Sequence, residues 1–271
     1  VLETLLDRTA GDALPLPAGL EARYGGPLRL PERAVFANFV STIDGIVSFD
    51  VAGHDRAKDV SGGYAGDRFV LALLRAAADA VVVGAGTLRK EPDSVWTAES
   101  VFPEEAGAFP ALRAALGRPT RPLTVIVTAS GEIDLGLPAF NDGGPVVVAT
   151  TPKGAEHLRG GPRHVTVRAL GNGDALRASE LVRLAAEMSG GGRILTEGGP
   201  NLFARFLEER ALDDLFLTVA PRIAGRSRDA RRTALVEGAA FLPANAPRAR
   251  LASLKAADDY LFTRFAFARA S

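Results

Sequence analysis

Arg193-Ile194-Leu195-Thr196-Glu197-Gly198-Gly199-Pro200-Asn201-Leu202 is the stretch whose reading decides the fold. Ile194 and Leu195 form a short apolar run of the kind that ends a buried strand. Two glycines follow, and Pro200 then opens a run with Leu202, Phe203, Phe206 and Leu207 at helical spacing. Proline is best tolerated at the first helical position, because the N–H it lacks would have had no partner there. The unit is therefore strand, tight glycine turn and helix N-terminus. Such a terminus offers unpaired N–H groups and a partial positive charge, and without Cβ atoms at 198 and 199 a phosphate can approach closely. Glu197 stands just before the turn, poorly placed for a phosphate and well placed for a substrate. As plain turn chemistry the stretch would be a Gly-Gly loop with a solvated glutamate, so the rest of the chain must decide.

Outward from this unit, other strand ends repeat its pattern. Ala80-Val81-Val82-Val83 is β-branched and runs into Gly84-Ala85-Gly86-Thr87, a second glycine turn followed by a hydroxyl. It is not a dinucleotide fingerprint, because Arg89 fills the third glycine position. Leu123–Val127 ends at Thr128-Ala129-Ser130. Further strands are expected at Ala34–Val40, Val146–Val148, His164–Val167 and Leu215–Val219. Helices are expected along Phe69-Val70-Leu73-Leu74-Ala77, near Ala108–Leu116 and along Leu181-Leu184-Ala185-Met188. Arg250–Leu254 and Tyr260–Phe265 alternate like an antiparallel pair around Asp258-Asp259. Strands alternating with helices and then a hairpin predict an α/β fold, with a mostly parallel mixed sheet flanked by helices and an antiparallel edge. Three strand ends (83/84, 127/128, 195/196) pass into small or hydroxyl residues, and ligands of open α/β sheets bind outside the carboxyl ends of strands. One domain is expected over 34–271. Residues 1–33 read as an N-terminal arm or irregular lead-in with one short helix at its start, and residues 48–64 as a glycine-bearing loop.

Composition narrows the function classes. The 271 residues are 47% hydrophobic and 24% charged, with zero formal net charge, so no electrostatic nucleic-acid or membrane surface is expected. The absence of cysteine excludes disulfides, a thiol nucleophile and cysteine-ligated metal. His54, His157 and His164 show no ligand spacing, so no metal is expected. The first residues lack the layout of a signal peptide and no apolar run approaches the length of a membrane span, so a cytoplasmic protein is expected. There is no nucleophile elbow, as Gly225-Arg226-Ser227-Arg228 lacks the last glycine, and no phosphate loop. What remains is a nucleotide cleft with few ionisable residues, Asp44, Glu91, Glu197 and Arg75. That set suits a reaction in which a cofactor carries the chemistry, such as hydride transfer.

Four segments in register, Asn38-Phe39-Val40-Ser41-Thr42-Ile43-Asp44-Gly45, Leu74-Arg75-Ala76 with Asp79-Ala80, Val83-Gly84-Ala85-Gly86-Thr87 and Thr196-Glu197-Gly198-Gly199-Pro200 with Leu215–Pro221, resemble the pyrimidine reductase domain of riboflavin biosynthesis. The resemblance spans roughly residues 34–265. It implies a dihydrofolate-reductase-like fold and NADPH-dependent reduction of the ribosylamino group of 5-amino-6-(5-phosphoribosylamino)uracil to ribitylamino. It also implies a small-molecule substrate and, commonly, a homodimer, for which the unpaired outer edge of the C-terminal hairpin offers a reason. Carried across, Val40, Gly84, Gly86, Thr87, Glu91, Thr128, Ser130, Gly198, Gly199, Pro200, Asn201 and Leu202 are the expected cofactor contacts. Asn38, Ser61, Arg75 and Glu197 are expected on the substrate side. Glu197 and Asp44 are the candidate catalytic residues, Asp44 lying in the loop beside the nicotinamide.

Three of these residues have plainer readings. Arg75 could end a helix and pair with its dipole, Asp44 could be a turn residue, and Ser61 could belong to a Gly62-Gly63 loop. The chain departs from the family where Ala57–Ser61 replaces a Ser-x-Trp-Ile segment. It departs again after Glu91-Pro92, where Trp96 stands and no substrate-holding arginine follows. Both departures fall on the substrate side. The fused deaminase usual in the family is also absent, so a free-standing reductase, or a relative acting on another pterin or pyrimidine, is expected. A non-catalytic nucleotide-binding protein would keep the same turns.

Overall fold

The computed structural model describes residues 1–173 and 175–268. Residues 174 and 269–271, which the expected 34–271 domain includes, lie outside the described residues. The strands are β1 (Glu3–Asp7), β2 (Arg33–Thr42), β3 (Ile46–Ser48), β4 (Ala80–Gly84), β5 (Leu123–Thr128), β6 (Val146–Thr150), β7 (Thr166–Ala169), β8 (Gly192–Thr196), β9 (Asp214–Ala220), β10 (Thr233–Ala234), β11 (Ala249–Ala257) and β12 (Tyr260–Phe267). Ten of them form one sheet in the order β1-β11-β12-β9-β2-β8-β4-β5-β6-β7. From β9 to β7 every neighbouring pair is parallel. From β9 to β1 every pair is antiparallel. The expected mostly parallel sheet with a C-terminal hairpin is thus found. The two-residue turn of the hairpin places Asp258 at φ 49°, a left-handed conformation that aspartate tolerates better than most residues.

Period-two alternation explains the two layers. Val81 and Val83 face one side of the sheet, while Ala80 and Val82 face the other. The first side is covered by the helix Ala65–Ala77 through Phe69, Val70, Leu73, Leu74 and Ala77, and by Phe109 and Leu112 of the helix Ala108–Ala115. The second side packs against Leu181, Leu184 and Ala185 of the helix Ala178–Ser189 and against Phe203, Phe206 and Leu207 of the helix Pro200–Glu208. Pro200 stands at the first helical position, as its chemistry requires. No helix among the described residues is long and apolar enough to cross a membrane.

The first 33 residues differ from expectation. They begin with β1, which pairs antiparallel with β11, and their short helix lies at Ala18–Tyr24 rather than at the start. Leu2, Leu14, Leu20, Tyr24, Leu28 and Leu30 are buried in the same core as Phe69 and Phe36. Their leucines recur without helical or strand period, yet all of them join one core with residues distant in sequence. The hairpin edge that sequence offered to a second copy is occupied by β1, so that argument for a dimer no longer stands. The loop 48–64 also holds a short helix, Ala57–Ser61, ended by Gly62 in the left-handed conformation. Within the antiparallel half, Arg264 donates two hydrogen bonds of 2.8 Å to the carboxylate of Asp214, both side chains being buried.

Candidate active site

A cleft of about 1060 Å³ lies along the carboxyl ends of the parallel strands. That is more room than one small ligand fills and suits two ligands side by side. β8, β4 and β5 are neighbours, so the three strand ends read in the sequence meet at one edge. Gly84 and Gly86, which have nothing within 4 Å of where a Cβ would stand, flank the start of a short helix, Ala85–Lys90. Gly199 precedes the helix Pro200–Glu208, and the nearest atom to a Cβ placed on it is Thr87 Oγ1 at 3.5 Å. The two strand–glycine–helix units therefore abut through Gly199 and Thr87. Two helix N-termini open together onto the cleft, an arrangement that favours a polyphosphate. Thr128 and Ser130 extend this wall, and Arg205, which donates to Leu176 O at 3.0 Å, stands farther along it.

The other half of the cleft is built on the helix Ala65–Ala77. Arg75 in its last turn is 4% exposed and donates through Nε to Glu197 Oε1 at 2.7 Å and through Nη2 to Glu197 Oε2 at 2.6 Å. Its Nη1 donates to the carbonyls of Val95 (3.4 Å) and Thr97 (3.1 Å). The backbone N–H of Glu197 donates to Val82 O, tying the residue to β4. Both oxygens of Glu197 are thus held by one planar guanidinium, and each keeps a lone pair free. Glu91 lies nearby and accepts from Ser94 Oγ at 3.2 Å. Burial raises its carboxyl above the usual range and the Glu197 charge adds to this, against Ser94 and Arg75. The site thus holds one carboxylate fixed by a cation and one carboxyl pushed toward its protonated form. Among the described residues no group of three His, Asp or Glu could hold a metal ion.

Of the residues expected from sequence, Asn38, Val40, Ser61, Gly84, Gly86, Thr87, Arg75, Glu91, Thr128, Ser130, Glu197, Gly199, Pro200, Asn201 and Leu202 all line the cleft. Gly198 and Asp44 do not. Gly198 faces Leu202, whose Cδ2 lies 2.3 Å from where a Cβ would stand, so its need for glycine is one of packing. Asp44 closes the turn between β2 and β3 and is not part of the cleft lining. It accepts from Thr42 Oγ1 (2.6 Å) and from the backbone N–H groups of Ala224 (3.1 Å) and Gly225 (2.8 Å). Those bonds, the Thr42 hydroxyl first, bring its carboxyl down to about 2. A depressed carboxylate contributes stability above its unfolded value that is lost as pH falls through the folded one. Asp44→Asn is therefore expected to lower Tm near neutrality, with the gap from the parent closing as pH falls toward 2. Turnover and cofactor affinity should hold within about twofold. A large loss of turnover in a folded Asp44→Asn protein would return Asp44 to the chemistry.

Sequence reasoning missed Asp67, Arg56, Lys58, Arg89, Lys90 and Arg205, which also line the cleft. For Asp67 a signal existed: it shares with Leu71 and Arg75 a spacing of four residues on one helix.

The comparisons with known proteins agree with this fold. A pyrimidine reductase-like protein of Corynebacterium diphtheriae has the same fold, with TM-score 0.68 at 22% identity over 93% of this chain and 99% of that one. The riboflavin biosynthesis reductase of Saccharomyces cerevisiae matches with TM-score 0.58 at 14% identity, over 92% and 96%. A Thermotoga maritima diaminohydroxyphosphoribosylaminopyrimidine deaminase/5-amino-6-(5-phosphoribosylamino)uracil reductase matches with TM-score 0.61 at 20% identity. The match covers 88% of this chain and 57% of that one, so the chain spans little more than half of that larger protein. A search of curated proteins finds no match. The model of the RibD C-terminal domain matches residues 33–260, the stretch that holds both glycine turns, Arg75 and Glu197, and the chain belongs to that family.

Proposed function

We propose that this chain is an NADPH-dependent reductase of riboflavin biosynthesis that converts the ribosylamino group of 5-amino-6-(5-phosphoribosylamino)uracil to ribitylamino. The observation that carries the reading is the junction of the two glycine turns at Gly199 and Thr87, facing the same cleft as the Arg75–Glu197 pair. Family membership supports it, as do the reductase activities of the Thermotoga and yeast proteins. The glycines fit a dinucleotide: three backbone positions open onto the cleft without a Cβ in the way. Thr87, Gly199, Pro200 and Asn201 would hold its pyrophosphate, with Thr128 and Ser130 beyond.

When bound, that cofactor supplies a hydride. The chain's own groups do the rest. Arg75 fixes Glu197 as a carboxylate whose free lone pairs accept hydrogen bonds from the substrate. Glu91, whose carboxyl burial raises above the usual range, would hold the proton that the substrate nitrogen requires.

A second reading, reduction of another pterin or pyrimidine, is favoured by Trp96. It is 1% exposed and lines the substrate half, where the resemblance calls for a substrate-holding arginine. A panel of aminouracil ribotide and dihydrofolate, followed by loss of nicotinamide absorbance, separates the two. NADPH binding without turnover of any substrate would leave only a nucleotide-binding protein. Turnover of the ribotide at the higher kcat/KM is the result expected here.

A further inference from the structure

One cation of the cleft takes no part in the roles above. Arg205 belongs to the helix Pro200–Glu208, is half-buried and lines the cleft. Its Nη1 donates to the carbonyl of Leu176 at 3.0 Å, and Leu176 lines the cleft as well. Among the described residues that carbonyl is its one hydrogen-bond partner, and no carboxylate pairs with it. A guanidinium carries five N–H donors, so most of its capacity is unspent. The acids that follow it at helical spacing are engaged elsewhere or in solvent. Glu209 accepts from the backbone N–H groups of Ala178 and Ser179 and from the Ser179 hydroxyl, and Glu208 is exposed.

Sheet order says which end of a dinucleotide reaches this residue. The strands run β2, β8, β4, β5 across the cleft floor. A pyrophosphate at the junction of the β8 and β4 turns, with the reacting ring on the β2 side, sends its adenosine toward β5. The wall there is made of Thr128, Ala129, Ser130 and Leu176 with Arg205, and Arg205 is its one charged side chain among the described residues. Asn201 and Arg205 both line the cleft, four residues apart on one helix face and about 6 Å apart along its axis. In an adenosine carrying phosphates at 2′ and 5′, one ribose separates the two, a span of the same order. A half-buried cation without a counter-charge costs stability that a bound anion returns.

We propose that Arg205 makes this chain choose NADPH over NADH, by donating paired hydrogen bonds to the 2′-phosphate of the adenosine ribose. The proposal rests on the reductase reading for the position of the pyrophosphate and names what holds the far end of the same cofactor. NADH presents a neutral ribose hydroxyl at this point, a weak acceptor for a guanidinium. NADPH presents a phosphate whose oxygens match the planar fork and its charge. The hydroxyls of Thr128 and Ser130 are neutral donors and serve either group, so the discrimination falls to Arg205.

The test is a binding measurement, independent of turnover. Titration calorimetry gives the affinities of NADPH and NADH, and of adenosine 2′,5′-bisphosphate and AMP, which carry the same difference without the nicotinamide. The parent should bind the 2′-phosphorylated member of each pair at least about tenfold more tightly. Arg205→Met keeps the stem and removes the fork. It should weaken NADPH at least about tenfold and leave NADH within about twofold. Arg205→Lys, charged but without the planar fork, should fall between parent and Arg205→Met. Arg205→Met also releases the Leu176 carbonyl, but loosened packing there weakens both dinucleotides alike, so the ratio of the two affinities carries the result. Arg89 also lines the cleft without a carboxylate partner among the described residues, but it is exposed. A preference lost in Arg89→Met and kept in Arg205→Met overturns the proposal. So does an equal loss of both dinucleotides in Arg205→Met, or a parent that binds NADPH and NADH alike. Failure of ribotide turnover with the binding differences intact would reject the reductase reading and leave the role of Arg205 standing.

Discussion

Gly199→Asp is expected to weaken NADPH binding at least about tenfold, or ~1.4 kcal/mol, in a protein that still folds. The two halves of that expectation come from different observations. The backbone at 199 has φ −59°, which any residue adopts, and a Cβ there meets only Thr87 Oγ1 at 3.5 Å. The position is also the N-cap of the helix Pro200–Glu208, where aspartate is among the preferred residues, so stability should hold or rise slightly. The same carboxylate would occupy the terminus that the pyrophosphate needs and repel it. Circular dichroism checks the fold and titration calorimetry checks the affinity. If folded Gly199→Asp binds NADPH as tightly as the parent, the cofactor does not lie on this turn. Gly198 makes a useful contrast, because a Cβ there strikes Leu202 and Gly198→Ala should lower stability.

Glu197→Gln is expected to lower kcat/KM by about 1.5–3 kcal/mol, the worth of a charge-assisted hydrogen bond, with little change in cofactor affinity. It also leaves Arg75, 4% exposed, without a counter-charge, so Tm should fall. Loss of stability alone could mimic a loss of function, and a double variant separates the two. Replacing a buried ion pair by apolar side chains of similar volume is often neutral or stabilising. Arg75→Met with Glu197→Leu should therefore recover much of the Tm lost by Glu197→Gln and recover none of the activity. Parental turnover by the double variant would make the pair structural and remove Glu197 from the chemistry.

The parts of the fold legible in the sequence were those with local periodicity. Val81 and Val83 against Ala80 and Val82, and the Phe203-Phe206-Leu207 stripe, announce their elements because neighbours a few residues apart share a surface. β1 was not legible: Glu3–Asp7 is short and largely exposed, and it is a strand because β11, some 250 residues later, pairs with it. In the site, both glycine turns were readable, since strand, glycine and proline each leave a local mark. The Arg75–Glu197 bond was not readable, although both residues were singled out, because nothing local connects positions 122 apart. Asp67 was passed over because the helix was read by its apolar face alone. The position of Asp44 outside the cleft lining was not readable, because an Asp-Gly turn carries the same letters whether it faces a cleft or, as here, holds the backbone of Ala224 and Gly225.

The central claim is a hydride delivered in this cleft to the sugar carbon of a ribosylamino group. Its most direct test is turnover of 5-amino-6-(5-phosphoribosylamino)uracil with NADPH deuterated at the transferred position, followed by mass and NMR analysis of the product. The account predicts one deuterium at C1′ of a ribityl chain in an otherwise unchanged pyrimidine. Label on a ring carbon, or consumption of NADPH with no label at C1′, would contradict it.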